Sequence, residues 1–536
     1  MRVLAGPFDR IESPWLEPQG ITPQSDDGTV IALGEIGGAP VVIAAVEQRF
    51  QGGGTGEVSG AKIAQALTLA AADSRAGRPT AAVILFETGG VRLQEANLGL
   101  NAVAEVCSAL LDLRPLAPVV GVIAGTVGSF GGMSIAAGLC TSLIVTPQAR
   151  LGLNGPAVIE QEAGIDEFDS SDHALIWAVN GGRQRHATGL ADVLVPDDTD
   201  RIRAAVTDAI GAGAAPTDPF RSRRLDVLGS RLAAVDPARP PAPTELPRLF
   251  GPTYAPLPAR PTASPPPATG PEPRSRGRAW LSALADGAVD AVIPSVLRVL
   301  TDTTLYLAVV PDPINPYHRA REGQVGLTES LALARAVTEL TDADRAAEVK
   351  RAIVAVVDLP SQAYGRLEEM VGLHQAMAAA VDAYHGARTS GHPVVALVVG
   401  SALSGGFLTH GLQANRILAL DDPGVEIHAM HRAAAARITL RTVEELDELA
   451  KTIKPLSYHV EDWATLGLCD GLLSVDDADC PTPADIATVG NALAAAVDRG
   501  RSGPMDLSNR LDSSGAVRSR HASRRVREVL TRQWHE

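Results

Sequence analysis

Residues 118–145 read PVVGVIAGTVGSFGGMSIAAGLCTSLIV, and residues 393–420 read PVVALVVGSALSGGFLTHGLQANRILAL. In each copy a proline precedes an apolar strand, a glycine turn, a short helix and a second apolar strand. Continuous apolar runs of this length are typical of buried parallel strands. Two such segments, far apart in one chain, predict two related α/β domains.

The glycine pairs Gly131-Gly132 and Gly405-Gly406 stand where the first strand of each copy passes into a helix. Backbone N–H groups in the first turn of a helix lack an intrahelical acceptor and carry partial positive charge. Such a turn can hold an oxyanion, and glycine lets a substrate carbonyl approach the backbone closely. The alternative is that glycine only permits tight strand–helix packing. Because the pair occurs twice, we expect both pairs to face one reaction.

The length of 536 residues is too great for one core and predicts two domains. The net charge of −15 argues against nucleic acid as the main partner. Residues 236–277, rich in proline and alanine, predict a semi-rigid linker, with an ordered arm on a domain surface as the alternative. The chain then divides into a domain at 1–235, the linker, a domain at 278–500 and an Arg-rich tail at 501–536. We expect a solvated, partly disordered tail, with an interaction helix or a membrane-surface segment as the alternative.

Apolar runs that alternate with helical patterns indicate an α/β fold in both halves. Strands are predicted at Val41–Val46, Ala81–Phe86, Val119–Ala124, Leu143–Thr146, Leu305–Val310, Ile353–Val357, Val394–Val399 and Ile417–Leu420, and helices at Ala61–Ala76, Ala96–Leu113 and Glu368–Thr389. The uncharged window 115–149 is long enough for a membrane span, but its six glycines divide it into strand, turn, helix and strand. We therefore predict no membrane span there.

A second glycine cluster, ETGGVRLQE at 87–95, follows a predicted strand and opens a helix. Gly89 and Gly90 offer further backbone amides at a helix start. Arg92 and Glu95 are three residues apart, so an ion pair between them is the preferred interpretation, with contact to a substrate anion as the alternative. The glycine-rich run at 51–56 predicts either a backbone wall of a pocket or a flexible turn.

Other residues offer weaker signals. Gly155 and Pro156 belong to a turn that is either a pocket wall or a plain connection. His410 follows the second glycine pair and either packs in the core or faces the site. Ser404 lacks the G-x-S-x-G context of an activated nucleophile. The four cysteines form no C-x-x-C pair and no histidine pair finds a third ligand, so we predict no metal site.

The segment TGGVRLQE at 88–95 resembles the SGGARMQE signature of β-type carboxyltransferase domains in the crotonase superfamily. The run GSFGG at 128–132 and the Gly155-Pro156 turn follow in that family's order. The second half resembles the γ subunit of biotin-independent malonate decarboxylase, in VDLPSQAYG at 357–365, GHPVVALVVG at 391–400, SGGFLTHGLQAN at 404–415 and LDDPGV at 420–425. The chain is therefore similar to β and γ subunits of that enzyme joined in one polypeptide.

The resemblance implies an α/β fold with two crotonase-like (ClpP/crotonase) domains of repeated ββα spiral units. It implies decarboxylation of a malonyl thioester on an acyl carrier protein to the acetyl thioester and CO₂. Gly131 and Gly132 would form one oxyanion hole, and Gly405 and Gly406 the other. Residues expected to bind the substrate are Gly89, Gly90, Arg92, Gly128, Ser129, Gly155, Pro156, Ser404 and His410.

The resemblance also implies partners. The malonyl group would be carried on a phosphoribosyl-dephospho-CoA group of a partner acyl carrier protein, with no cofactor bound by this chain. An acyl-carrier transferase subunit would belong to the same cytoplasmic complex, and a homo-oligomer is expected. The nearest alternative is the carboxyltransferase subunit of a biotin-dependent acyl-CoA carboxylase. A non-catalytic acyl-carrier docking module is the other, although it would not need two intact glycine turns.

Overall fold

A computed structural model of the chain describes residues 1–214, 220–258, 273–285 and 287–536. Their strands are β1 (Arg2–Leu4), β2 (Thr29–Ile36), β3 (Ala39–Val46), β4 (Ala81–Leu85), β5 (Val119–Ile123), β6 (Ser142–Val145), β7 (Val193–Leu194), β8 (Asp290–Ile293), β9 (Val296–Leu300), β10 (Thr304–Val309), β11 (Ala352–Leu359), β12 (Val394–Leu403), β13 (Arg416–Leu420), β14 (Ile427–His428) and β15 (Gly471–Leu473).

Helices connect and cover these strands. The helices of the first half are α1 (Glu57–Arg75), α2 (Ala96–Leu113), α3 (Gly132–Leu139), α4 (Pro156–Ala163), α5 (His173–Asn180), α6 (Gly182–Ala187), α7 (Thr199–Gly211), α8 (Leu225–Ala234) and α9 (Leu246–Phe250). Those of the second half are α10 (Arg276–Leu284), α11 (Leu327–Ala343), α12 (Arg366–Val371), α13 (Leu373–Thr389), α14 (Ser404–Thr409), α15 (Arg432–Ile438), α16 (Val443–Ala450), α17 (Val460–Thr465), α18 (Pro483–Ser502), α19 (Ser514–Ser519) and α20 (His521–Trp534).

The two sheets have the same topology. The first runs β1-β2-β3-β4-β5-β6-β7, and the second runs β8-β9-β10-β11-β12-β13-β15, with β14 beside β12. In both, the first two strand pairs are antiparallel and every later pair along the sheet is parallel. This duplication confirms the predicted α/β fold of two crotonase-like domains with repeated ββα units.

The two domains share one continuous hydrophobic core. Helix α3 of the first domain packs on α13 of the second, where Gly138 lies against Ala378. A buried ion pair joins Arg114 to Asp382 across the same boundary. Helix α2 belongs to the segment 93–113, which is long and apolar enough to cross a membrane but is 94% buried inside the protein.

The helix predicted at Glu368–Thr389 is wrong as one element. The chain breaks at Gly372, whose φ of +103° belongs to the left-handed region, so α12 and α13 are separate helices. A Cβ at this position would also lie 2.9 Å from Leu190 of the first domain. Gly372 therefore allows both the change of direction and the close approach of the two domains.

The stretch predicted as a linker is partly an ordered arm. Between residues 236 and 258, Leu246 and Phe250 of α9 are buried. The guanidinium of Arg231 in α8 stacks over the rings of Phe250 and Tyr254, at 4.8 and 4.4 Å. The alternative interpretation therefore holds for this part, whereas 259–272 lie outside the described residues. The boundary predicted at 278 falls inside α10.

The solvated tail predicted at 501–536 is wrong. Helix α20 buries Val526, Leu530 and Trp534 against the first domain. The Trp534 indole N–H donates to an Asp73 carboxylate oxygen of α1 at 2.8 Å. The chain thus returns from the second domain to cover the first.

Candidate active site

The turn between β5 and α3 places an unpaired amide at the start of a helix. Gly131 has a φ of +57°, and its own N–H donates to the Leu153 carbonyl at 2.7 Å. Among the described residues, the N–H of Gly132 has no acceptor. The amide predicted for Gly131 is therefore occupied, and Gly132 carries the free donor of this turn.

The turn after β4 supplies a second unpaired amide beside the first. Gly90 has a φ of +110°, and a Cβ on it would lie 3.1 Å from the Gly131 Cα. The N–H of Val91, the next residue, also lacks an acceptor in the part of the chain that the structure describes. Such close contact between two backbones requires glycine at both positions.

The second domain repeats these two turns. Val91 bridges Thr55 in the first domain, and Gln362 bridges Val325 in the second, both in parallel register. Ser404, directly after β12, has the same φ of +57° as Gly131. The structural equivalent of the pair Gly131-Gly132 is therefore Ser404-Gly405, one residue earlier than the glycine pattern suggests.

The two turns open into one cavity between the domains, with a volume of about 410 Å³. Its walls come from both halves of the chain. Of the predicted residues, those that line it are Gly89, Arg92, Gly131, Gly132, Gly155, Ser404 and Gly405. Lining residues that were not predicted from the sequence are Val91, Leu93, Gln94, Leu100, Leu153, Asn154, Val158, Gln362, Leu408, Ala429, Met430, Ile438 and Thr439. Gln51, Gly52 and Gly54 also line it, as expected for a backbone wall.

Other predicted residues lie behind the walls and support them. A Cβ on Gly128 would lie 2.1 Å from the Arg150 carbonyl oxygen, and one on Gly406 would lie 2.7 Å from the Ser361 carbonyl oxygen. Ser129 is fully buried and bridges Thr88 and Leu151. Gly90 fixes the turn before Val91, and Pro156 begins α4. These residues shape the two turns without bordering the cavity.

His410 is buried away from the cavity. Its Nδ1 lies 2.7 Å from the Tyr384 hydroxyl oxygen. Burial lowers the pKa of His410 to about 4, so the imidazole is neutral at pH 7. The structure therefore places this histidine in the core, which was the alternative to a role in the site.

Arg92 borders the cavity, but its guanidinium forms ion pairs with carboxylates of the protein. Its Nη1 lies 2.7 Å from Asp27 Oδ1 and 2.8 Å from Glu95 Oε2, and all three side chains are buried. The ion pair preferred for Arg92 and Glu95 is confirmed. Burial raises the pKa of Glu95 to about 7, against the attraction of Arg92.

A carboxylate from the second domain fixes one wall that the first domain provides. The Glu369 oxygens accept the N–H groups of Leu153 at 3.0 Å and Asn154 at 2.7 Å. Arg185 donates to the Glu369 carbonyl at 2.7 Å. Burial raises the pKa of Glu369. The position of this wall therefore depends on contact between the domains.

Comparisons with known proteins divide the chain in the same way. The carboxyl transferase domain family matches residues 17–209, and the malonate decarboxylase gamma subunit family matches residues 320–534. The chain is 41% identical over 226 residues to the malonyl-S-ACP:biotin-protein carboxyltransferase MADC of Malonomonas rubra, covering 40% of this chain and 71% of that protein. This chain belongs to the malonate decarboxylase family.

Further relatives of the malonate decarboxylase family match other portions. The carboxyltransferase MADD of Malonomonas rubra is 41% identical over 133 residues, which cover 24% of this chain and 46% of that protein. A chain of a Pseudomonas malonate decarboxylase hetero-tetramer, crystallised in complex with malonate, is 57% identical with a TM-score of 0.45, covering 46% of this chain and 90% of that chain.

Membership of the malonate decarboxylase family confirms three predictions. The chain is an enzyme of the carboxy-lyase class, it joins β-type and γ-type units in one polypeptide, and it carries carboxyltransferase domains. The match to the γ-subunit family extends to residue 534 and therefore includes the C-terminal helix α20.

Proposed function

We propose that this chain decarboxylates a malonyl thioester carried on an acyl carrier protein, giving the acetyl thioester and CO₂. The observation that carries the proposal is the pair of unpaired N–H groups, on Val91 and Gly132, at a cavity lined by both domains. MADC, the relative of which this chain covers 71%, is named for its action on malonyl-S-ACP. The volume of about 410 Å³ accommodates a malonyl thioester and the end of its carrier arm.

The chemistry needs donors where negative charge develops. When the bond between the α-carbon and the carboxylate breaks, its electron pair forms an enolate whose charge rests on the thioester oxygen. Backbone donors on Val91 and Gly132 stabilise that oxygen without reorganising, and losing one such donor typically costs about 10²–10³ in rate. The enolate carbon then takes a proton and becomes the acetyl methyl group.

The proton comes from water in this proposal. Among the described lining residues, Arg92 has the one ionisable side chain, and it is paired with Asp27 and Glu95. His410, which could have faced the site on sequence grounds, is buried and hydrogen-bonded to Tyr384. A cavity without a general acid of its own is compatible with decarboxylation, because no base is needed to start the reaction.

The proposal includes partners. The thioester arrives on the phosphoribosyl-dephospho-CoA group of an acyl carrier protein, and a transferase subunit loads it in a cytoplasmic complex. The chain itself forms a homo-oligomer within that complex. Among the described residues, no group of three His, Cys, Asp or Glu side chains is arranged to hold a metal ion.

A second candidate function is carboxyl transfer from malonyl-S-ACP to a biotin protein. It is favoured by one observation, the activity for which MADC and MADD are named, since each is 41% identical to part of this chain. This candidate resembles the biotin-dependent alternative drawn from the sequence, except that the carboxyl donor is a malonyl thioester rather than carboxybiotin.

The test is CO₂ release from malonyl-acyl carrier protein labelled in the free carboxyl group. Decarboxylation predicts that the purified chain releases labelled CO₂ with no biotin protein, and that avidin has no effect. Carboxyl transfer predicts that label leaves the thioester when a biotinylated carrier is added, and that avidin stops it. A folded chain that leaves the label in place under both conditions contradicts both candidates.

A further inference from the structure

The second amide turn is closed by a side chain of its own domain. The Gln362 side-chain carbonyl oxygen accepts the N–H of Gly405 at 2.8 Å. The Gln362 amide nitrogen donates to Asn154 Oδ1 of the first domain, also at 2.8 Å. Asn154 is held in turn by the Ala363 carbonyl at 2.9 Å and by Glu369. Gln362 is therefore fixed at both ends while it borders the cavity.

The first domain has no such closure. The residue equivalent to Gln362 is Val91, whose side chain has no acceptor, and the N–H of Gly132 is unpaired within the described chain. The backbone N–H of Gln362 also has no acceptor among the described residues. The duplicated site thus has one open amide pair, Val91 and Gly132, and one pair, Gln362 and Gly405, that its own side chain occupies.

We propose that the Gln362 side chain is an internal stand-in for a substrate oxygen, and that the substrate carboxylate displaces it from the Gly405 amide. The inference rests on the proposed function, in which the malonyl group has an oxygen-bearing group at each end. Both amide pairs border the same cavity, so with the thioester oxygen at the first pair we place the carboxylate at the second. A carboxylate forms a stronger, charge-assisted hydrogen bond with an N–H than a neutral amide oxygen does, so the exchange favours the substrate.

The same exchange favours binding of the substrate carboxylate before bond cleavage and release of CO₂ after it. Carbon–carbon cleavage converts the charged carboxylate into neutral CO₂, which is a weak hydrogen-bond acceptor. The Gln362 oxygen then competes successfully for the Gly405 N–H and returns to it. Gln362 therefore weakens substrate binding and promotes release of CO₂, while it takes no part in bond cleavage. It is a specificity-determining residue for a ligand with a carboxylate.

The test is the binding of malonate itself, measured by calorimetry on the full chain. In Gln362→Met the side chain keeps its length but loses its acceptor, so we expect the Kd for malonate to fall about three- to tenfold, the equivalent of one typical hydrogen bond. In Gln362→Glu a fixed negative charge holds the Gly405 N–H and repels the ligand, so the Kd should rise at least tenfold. Opposite changes from two substitutions at one position cannot come from general damage to the fold.

Gln375→Met is the matched control, because Gln375 is a buried glutamine at the domain boundary that donates to Gly138 and does not line the cavity. Its Kd should match that of the unaltered chain. A Kd for Gln362→Met that is unchanged or raised, or no malonate binding by any variant, overturns the inference.

Hydrogen exchange gives a second readout that needs no turnover. The amide of Gly405 should exchange faster in Gln362→Met than in the unaltered chain, and added malonate should slow it again. If the Gly405 amide exchanges at the same rate in Gln362→Met and in the unaltered chain, the Gln362 side chain does not protect that amide and the inference fails. Because neither measurement uses CO₂ release, a failed decarboxylation assay with altered malonate binding contradicts the proposed function alone.

Discussion

Gly131 and Ser404 occupy equivalent places and share a φ of +57°, although only one of them is glycine. A Cβ on Gly131 would lie 3.0 Å from the Gly90 Cα, whereas Ser404 carries its Cβ in the same backbone conformation. A non-glycine residue in this region costs about 1 kcal/mol or more and persists where the surroundings enforce it. Ser404, which carries this strain, borders the cavity at the second turn.

We expect Gly131→Ala to reduce kcat by about 100-fold or more, because the new methyl group meets the Gly90 backbone and displaces the N–H groups of Gly132 and Val91. Steady-state CO₂ release measures this. The control is Gly155→Ala, also at the cavity, where a Cβ has 3.9 Å to its nearest neighbour and φ is −64°. Equal kcat values for the two variants would contradict the role of the first turn.

For individual residues, the sequence predicts the positions of the glycine turns better than the identity of the backbone N–H donors. The repeated glycines indicate where backbones approach closely, and Gly132 and Gly405 are indeed at the cavity. The N–H of Val91 could not be identified from its side chain, because a backbone donor places no demand on residue type. Gln362 lies in the family-like segment 357–365, but its hydrogen bond to the Gly405 amide could not be predicted, because the side chain is held by Asn154 of the other domain.

Among the elements, helix α20 shows how a buried carboxylate holds an Arg-rich segment. Arg520 and Arg527 of α20 lie 2.7 and 2.6 Å from the two oxygens of Glu105 in α2. Burial opposes ionisation of Glu105, but the two arginines lower its pKa from the usual 4.5 to about 2. The helix is therefore attached to the first domain by charge as well as by Trp534.

The lowered pKa of Glu105 determines how the free energy of unfolding changes with pH. Ionised Glu105 contributes about 3 kcal/mol to the free energy of unfolding above pH 4.5, and that contribution is lost as the pH falls from 4.5 towards 2. Glu105→Gln should therefore be destabilised at pH 7, and its difference from the unaltered chain should shrink below pH 4.5. Urea unfolding between pH 7 and pH 3 measures both.

Glu528→Gln, on the exposed face of the same helix, is the control and should change the free energy of unfolding by about 0.5 kcal/mol or less. A difference between Glu105→Gln and the unaltered chain that stays constant down to pH 3 would argue against the ion pairs.

The core strands could be predicted from the sequence, whereas a C-terminal helix was considered only as the alternative to a solvated tail. Buried parallel strands are continuous apolar runs, so β4 and β5 match their predictions to within one residue. Helix α20 has few apolar residues, and its arginines suggested solvent. The missed signal is spacing, since Val526, Val529, Leu530 and Trp534 recur on one helical face.

For the whole molecule, the two domains share one site, and their direct contacts predict that it forms without a covalent link between them. Leu408 of the second domain packs against Gly132, and Asn97 of the first donates to the Ser457 carbonyl at 2.8 Å. We expect co-expressed halves 1–258 and 273–536 to copurify and to release CO₂ at a rate near that of the intact chain. Each half alone should be inactive, because the cavity has walls from both.

Gel filtration and the CO₂ assay on the mixed and separate halves check this. Halves that stay apart would show that the boundary between the domains is too weak to assemble the cavity, and an active single half would show that one amide pair suffices.

The attachment of α20 to α1 also means that the first domain cannot be completed until α20 has been synthesised. Trp534 and its partner Asp73 are 461 positions apart, which at about 5–20 residues per second means a delay of roughly 20–90 seconds on the ribosome. Throughout that interval the apolar face of α1 that will receive Val526 and Leu530 is without its cover. The nascent first domain therefore exposes an apolar surface until helix α20 has been synthesised.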